Sequence, residues 1–205
     1  MYAAGNAPTH ATFILAHGAG AGQQSAFIAD FARGLSHRGV DVLTFNFLYT
    51  ERRRRVPDRT EKLDACYRAA VAAARLHFGR ADVFIGGKSM GGRIATHLAA
   101  GDDADKLGIR GVVALGYPLH PPGKPQQLRT AHLPRIRVPM LIVQGERDPF
   151  GTPAELQPVL DAIPADVSVH VVANGDHSLT PSRQKDRVAA VYAEIQDVIV
   201  KWMRA

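Results

Sequence analysis

The stretch that decides the fold is Asp82-Val83-Phe84-Ile85-Gly86-Gly87-Lys88-Ser89-Met90-Gly91-Gly92-Arg93. Its first part, 82–85, is a short run with the composition of a buried strand. A serine flanked by Gly87 and Gly91 follows at once, and a helical run over 93–100, stopped by Gly101, comes directly after. A serine at so sharp a strand-to-helix junction is held in strained backbone angles with its hydroxyl exposed. Side chains at the flanking positions would collide with the neighbouring strand or helix, and glycine removes the collision.

Outward from this turn, strand-like and helix-like segments alternate along all 205 residues, without repeats or low-complexity tracts. Apolar runs at 11–16, 40–47, 82–85, 111–115, 140–143 and 167–172 predict six strands. Phe27, Ile28, Phe31 and Leu35 recur at helical spacing before Gly39, and Leu63, Cys66, Tyr67, Ala70, Val71 and Ala74 share one face of a helix that closes before Gly79. Cys66 on that stripe reads as a small buried hydrophobe. Thr152-Pro153-Ala154-Glu155 has the form of a capping box with proline at the first helical position. Thr180-Pro181 is expected to open the last helix, whose apolar face runs from Val188 to Trp202. Strict alternation of this kind predicts an α/β fold, a parallel sheet of about six strands covered by helices on both faces, in one domain over 1–205.

A serine hydroxyl is a weak nucleophile and needs a base within hydrogen-bond reach, itself oriented by an acid. All three must lie at the C-terminal edge of the strands, where ligands collect in such sheets. Asp148, in Gly145-Glu146-Arg147-Asp148-Pro149, follows the fifth strand, and His177, in Asn174-Gly175-Asp176-His177-Ser178, follows the sixth. Glu146 competes with Asp148 as the acid. Asp176 reads as a turn former, and His170, in mid-strand, as structural. Stabilising the oxyanion takes two N–H groups: that of Met90, next to the serine, and one from the loop His17-Gly18-Ala19-Gly20-Ala21-Gly22, assigned to Ala19. That glycine-rich loop lacks both the Gly-Lys-Ser/Thr ending of a phosphate cradle and the spacing of a dinucleotide site. No His/Cys/Asp/Glu motif of metal-binding form is present, so neither metal nor cofactor is expected.

Basic residues exceed acidic ones, giving a formal charge of +6. Arg52, Arg53, Arg54, Arg55 and Arg59 supply much of the excess in one loop after the second strand, without interleaved aromatics, which argues against nucleic acid. Planar guanidinium forks at the catalytic edge suit a carboxylate or phosphate, so Arg53 and Arg54 are candidate contacts for an anionic substrate. No apolar run approaches the roughly 20 residues of a membrane span, and 11–16 lacks the flanks of a signal peptide. With a single cysteine, a cytoplasmic location without membrane attachment is expected. Oligomeric state is not legible.

Taken together, His17-Gly18-Ala19-Gly20, Gly87-Lys88-Ser89-Met90-Gly91-Gly92-Arg93, Gly116-Tyr117-Pro118-Leu119-His120, Gly145-Glu146-Arg147-Asp148-Pro149 and Gly175-Asp176-His177-Ser178 resemble the α/β-hydrolase superfamily. They look most like its small bacterial branch of predicted hydrolases, similar to the hydrolase-like domain of the testis-expressed family and of a subunit of the nonspecific-lethal acetyltransferase complex. The resemblance implies a three-layer fold with the sheet trimmed to six strands and a Ser89–His177–Asp148 triad. Residues 118–139 are too few for a cap domain and predict a short loop with one helical turn. The expected activity is hydrolysis of a small acyl ester or thioester through an acyl-enzyme, with His17, Tyr117 and His120 as further candidate substrate contacts. Because some relatives are regarded as scaffolds, the rival is a non-catalytic binding protein that has kept the fold.

Overall fold

The computed structural model describes residues 1–5, 8–79, 82–181 and 185–205. Six strands, β1 (Ala11–Ala16), β2 (Asp41–Phe45), β3 (Asp82–Lys88), β4 (Ile109–Leu115), β5 (Met140–Gly145) and β6 (Val167–Val172), form one sheet in the order β2-β1-β3-β4-β5-β6. Every pairing between them is parallel. The helices are α1 (Ala26–His37), α2 (Leu48–Glu51), α3 (Thr60–Phe78), α4 (Met90–Ala99), α5 (Pro153–Leu160) and α6 (Val188–Met203). Strand order reverses at β1, with β2 on one side and β3 on the other, which opens a crevice beyond the C-terminal ends of these strands.

Side-chain alternation in the strands separates two cores. Phe13 and Leu15 of β1 join Ile28, Phe31 and Leu35 of α1 and Ile195 and Ile199 of α6 on one face. Ile14 and Ala16 join Leu63 and Tyr67 of α3, Ile94 and Leu98 of α4 and Leu156 of α5 on the other. The central strands are apolar on both faces because helices cover both. Tyr67 ties a helix to the sheet: its hydroxyl accepts from the Gly86 N–H at 2.7 Å and reaches the carbonyl oxygens of Ile14 and Gly86 at 2.7 and 2.6 Å. Burial pushes its phenol pKa well up, so the hydroxyl stays a donor.

The structure lengthens three expected strands, shortens the second to Asp41–Phe45, and moves two helix starts, that of α4 from 93 back to Met90 and that of the last helix. β3 continues to Lys88 because Gly86 and Gly87 pass between β1 and β4, pairing with Leu15 and Ala16 and with Val113 and Ala114. β4 begins at Ile109 and β5 ends at Gly145. The last helix does not open at Thr180-Pro181; α6 starts at Val188 after a 3₁₀ turn over Lys185–Arg187. The Thr180 hydroxyl instead donates to the Asp176 carboxylate at 3.0 Å, and Pro181 makes an isolated bridge with Gly175. The capping box does form: Thr152 Oγ1 accepts from Glu155 N–H, and the Glu155 carboxylate accepts from Thr152 N–H. Residues 118–139 hold a single 3₁₀ turn, Leu133–Arg135, and no cap domain. No helix among the described residues is long and apolar enough to cross a membrane.

Tyr67→Phe removes the buried hydroxyl that bridges α3 to the backbone of β1 and β3, which should cost about 1–3 kcal/mol. Urea unfolding of the variant should show a lower midpoint with an unchanged slope; an unchanged midpoint would remove Tyr67 as a tie between α3 and the sheet.

Candidate active site

Ser89 joins β3 to α4 with φ 50° and ψ −114°, one of five non-glycine residues at positive φ among the described residues. The strain is imposed by packing. A Cβ on Gly87 would stand 2.3 Å from the Ala16 carbonyl oxygen and one on Gly91 2.6 Å from the same atom, so glycine alone allows the turn to approach β1. Ser89 N–H donates to Leu115 O at 2.9 Å, tying the turn to β4 as well.

His177 Nε2 lies 2.8 Å from Ser89 Oγ, and its Nδ1 lies 2.8 Å from Asp148 Oδ2. The carboxylate is acceptor-only, so Nδ1 carries the proton and Nε2 is free to accept from the serine. Asp148 is buried and fully engaged: Oδ2 also accepts from Gln144 Nε2 at 2.9 Å, and Oδ1 from the Phe150 N–H at 2.8 Å. Gln144 is itself fixed, donating to Gly151 O at 2.7 Å and accepting from Tyr117 N–H at 2.7 Å. The Phe150 ring stacks on His177 at 4.1 Å. Asp176 shapes the turn by accepting from Ser178 N–H and from the Thr180 amide and hydroxyl. Glu146 points elsewhere, its carboxylate taking the Asn174 N–H at 2.6 Å; Asp148 is the carboxylate beside the histidine.

Among the described residues no hydrogen bond claims the Met90 or Ala19 N–H, and both residues line the cleft around Ser89. Met90 opens α4, so its N–H also carries the positive end of the helix dipole. His17 does not reach the cleft. It is fully buried, donates from Nδ1 to Gly18 O at 2.8 Å and accepts the Phe47 N–H at Nε2, holding the Gly18–Ala19 loop in place. Burial lowers its pKa, with the Gly18 bond opposing. Tyr117 and His120 are likewise buried behind the cleft: the Tyr117 hydroxyl donates to Arg129 O, and His120 faces Pro121 O and Glu155. Arg53 and Arg54 are exposed and lie off the cleft wall; Arg54 pairs with Asp58 at 2.7 Å.

The cleft, about 630 Å³, is mostly apolar, with Phe27, Leu63, Pro118 and Tyr192 among its walls. Three basic residues that the sequence does not assign to the site also line it: Lys88, Arg93 and Arg129. A signal existed for two of them, since Lys88 lies within the serine motif and Arg93 directly after it. Arg129 stands far from any motif. No group of three or more His, Cys, Asp or Glu among the described residues is placed to hold a metal ion.

A family model described as an alpha/beta hydrolase domain matches residues 9–204. Among solved structures, the fold is similar to an alpha-beta serine hydrolase homologue from Coxiella burnetii at 17% identity and a TM-score of 0.73, over 98% of this chain and 88% of that one. It is similar to an a/b serine hydrolase without lid from Xanthomonas campestris at 17% identity and 0.74, over 96% and 84%. A dienelactone hydrolase from Anabaena variabilis matches at 19% identity and 0.74, over 98% and 88%.

Lys88 supplies a stability prediction. Its Nζ is buried without a hydrogen-bond partner among the described residues and sits 5.9 Å from the Phe27 ring centroid. Burial lowers its pKa from 10.5 to about 8, against the pull of Asp148 and Asp176. The unfolded chain therefore binds this proton more tightly, and stability rises with pH between about 8 and 10.5. Lys88→Met removes an unpaired buried charge. Its melting temperature at pH 7 should exceed the parent's by a few degrees, a gap that narrows toward pH 10. A gap independent of pH would show that the ammonium is not destabilising.

Proposed function

The chain belongs to the alpha/beta hydrolase domain family, and on that premise we propose that it is a serine hydrolase acting on a small acyl ester or thioester, with Ser89, His177 and Asp148 as its triad. The motif set around these residues supports a place in the small bacterial branch without a cap, and the single Cys66 supports a cytoplasmic setting. One observation carries the reading: an unbroken hydrogen-bond chain, 2.8 Å at both links, from a serine held at positive φ through His177 to a buried carboxylate.

In the reaction, Ser89 Oγ attacks the substrate carbonyl while His177 Nε2 takes the hydroxyl proton. Asp148 holds the ring and stabilises the imidazolium. Negative charge on the carbonyl oxygen develops against the Met90 and Ala19 N–H groups. Collapse of the tetrahedral intermediate breaks the bond to the alcohol or thiol, which leaves with the proton from His177. A water, deprotonated by the same nitrogen, then attacks the acyl-enzyme, and Ser89 is released with its proton restored. With no cap over the site, substrates are expected to be small, or extended and projecting from the cleft.

A fluorophosphonate probe should label the folded protein, and Ser89→Ala should abolish labelling while leaving the melting profile close to the parent's. Asp148→Asn should lower kcat on a reactive phenyl ester by about 10³–10⁴, since it spoils the ring tautomer. Folded protein that resists the probe and hydrolyses no ester would instead favour a non-catalytic binding protein.

A further inference from the structure

Two arginines share the cleft wall with Ser89, and no carboxylate among the described residues pairs with either one. Arg93 lies one turn into α4, its N–H donating to Ser89 O at 3.0 Å. Arg129 comes from the loop after β4 and is pinned through its backbone, with N–H donating to Leu119 O at 2.8 Å and carbonyl accepting from the Tyr117 hydroxyl at 2.7 Å. Both line the cleft and both are partly buried. Neither forms a salt bridge among the described residues, whereas Arg54, next to the same cleft, is matched by Asp58. The Arg93 guanidinium is held below its ordinary pKa first by burial, with Arg129 adding to the effect and Tyr117 opposing it. Two positive charges, partly desolvated and lining one cleft, are unfavourable unless an anion joins them.

The hydrogen-bond partner that Arg93 does have orients it without neutralising it. His97, one turn further along α4, faces Arg93 Nη1 with Nε2 at 3.4 Å. Its ring stacks on His132 at 3.6 Å and 12° between planes, and His132 Nε2 lies 2.8 Å from Thr96 Oγ1. Burial lowers the two imidazoles to about 4 and about 3. Both are therefore neutral at pH 7, and Nε2 of His97 is an acceptor. The positive charge of Arg93 stays available to the cleft.

We infer that Arg93 and Arg129 form an oxyanion-binding subsite that holds a carboxylate or phosphate on the substrate while Ser89 acts on its acyl carbon. This rests on the hydrolase reading and narrows its substrate class to short-chain esters or thioesters that carry an anionic group. Paired guanidinium forks recognise such oxygens by parallel charge-assisted bonds. The one-turn offset from Ser89, ~5.4 Å along the helix, places that anion a short chain away from the reacting carbonyl. The exposed run Arg52 to Arg55, off the cleft wall, is not needed for this role.

The test compares kcat/KM for 4-methylumbelliferyl butyrate with that for the 4-methylumbelliferyl half-ester of glutaric acid. The parent should prefer the anionic ester, with a preference that falls as NaCl is added. The anionic-to-neutral ratio should drop tenfold or more in Arg129→Gln and in Arg93→Gln and be partly kept in Arg129→Lys. Arg129 lies on a loop, so its variant carries the test if Arg93→Gln fails to fold. Binding is read separately in Ser89→Ala protein: glutarate or inorganic phosphate should raise its melting temperature, and adding Arg129→Gln should cancel the rise. Whichever anion protects at lower concentration identifies the preferred group. Protection without turnover of any ester would overturn the hydrolase reading and leave the subsite standing. An unchanged ratio, or no protection by either anion, would overturn the subsite.

Discussion

The arrangement at the catalytic edge depends on a backbone contact, the approach of the Gly87–Gly91 turn to the carbonyl end of β1. The Ala16 oxygen lies where a Cβ of either glycine would fall, so the turn can press against β1 only if both positions lack side chains. That pressure holds Ser89 at φ 50°, a conformation that costs an ordinary residue of order 1–3 kcal/mol and persists here because neighbours on both sides over-determine it. β1 and β4 clamp the turn from either side, through the pairing of Ala16 with Gly87 and the bond from Ser89 N–H to Leu115 O. The same contact sets the distance between the first-strand loop and the start of α4, and hence between the N–H groups of Ala19 and Met90.

A second constraint operates at the other end of the site. Asp148 is buried, and a buried carboxylate is tolerable only when hydrogen bonds replace its lost water. Gln144 at the end of β5, the Phe150 amide and His177 supply them. Because Gln144 also binds the Gly151 carbonyl and the Tyr117 backbone, the acid, its loop and the end of β4 move as one unit. The His177 ring is then caught between that unit and the stacked face of Phe150.

The sheet was legible in the sequence because a strand buried on both faces writes itself as an uninterrupted apolar run, and all six runs became strands. The convergence of Ser89, Asp148 and His177 was legible for a related reason: in a parallel sheet, whatever follows a strand's C-terminal end arrives at one edge, so position along the chain becomes position in space. That logic fails for side chains whose placement depends on packing between distant segments. Arg129 is held at the cleft by residues ten and twelve positions earlier, Leu119 accepting from its N–H and the Tyr117 hydroxyl donating to its carbonyl, and no local pattern marks it. Arg53 and Arg54 fail in the opposite sense, since a loop at the correct edge still turned its charges outward. Thr180-Pro181 has a helix-opening form, but the nearby Asp176 carboxylate captured the threonine hydroxyl. Gln144 carries no local mark either, because nothing in a single sequence distinguishes a polar residue that caps a strand from one that supports a buried acid.

Much of the site's chemistry converges on α4. Ser89 occupies its N-cap, and Met90, its first residue, presents an N–H at the positive end of the helix dipole. Arg93 one turn on and His97 one turn beyond that share a face, since residues four apart on a helix are neighbours. A single rigid element thus spaces Ser89, the Met90 N–H and Arg93 against one another, and loops bring Ala19, Asp148, His177 and Arg129 to it. In the proposed reaction the two positive features on α4 would divide the work: an anion held at Arg93 would screen that guanidinium and leave the charge on the reacting carbonyl to the nearer Met90 N–H. The histidine stack completes this division. Imidazoles that titrated near neutrality would place a third positive charge behind Arg93, whereas the low values forced on His97 and His132 by burial keep the support beneath it neutral.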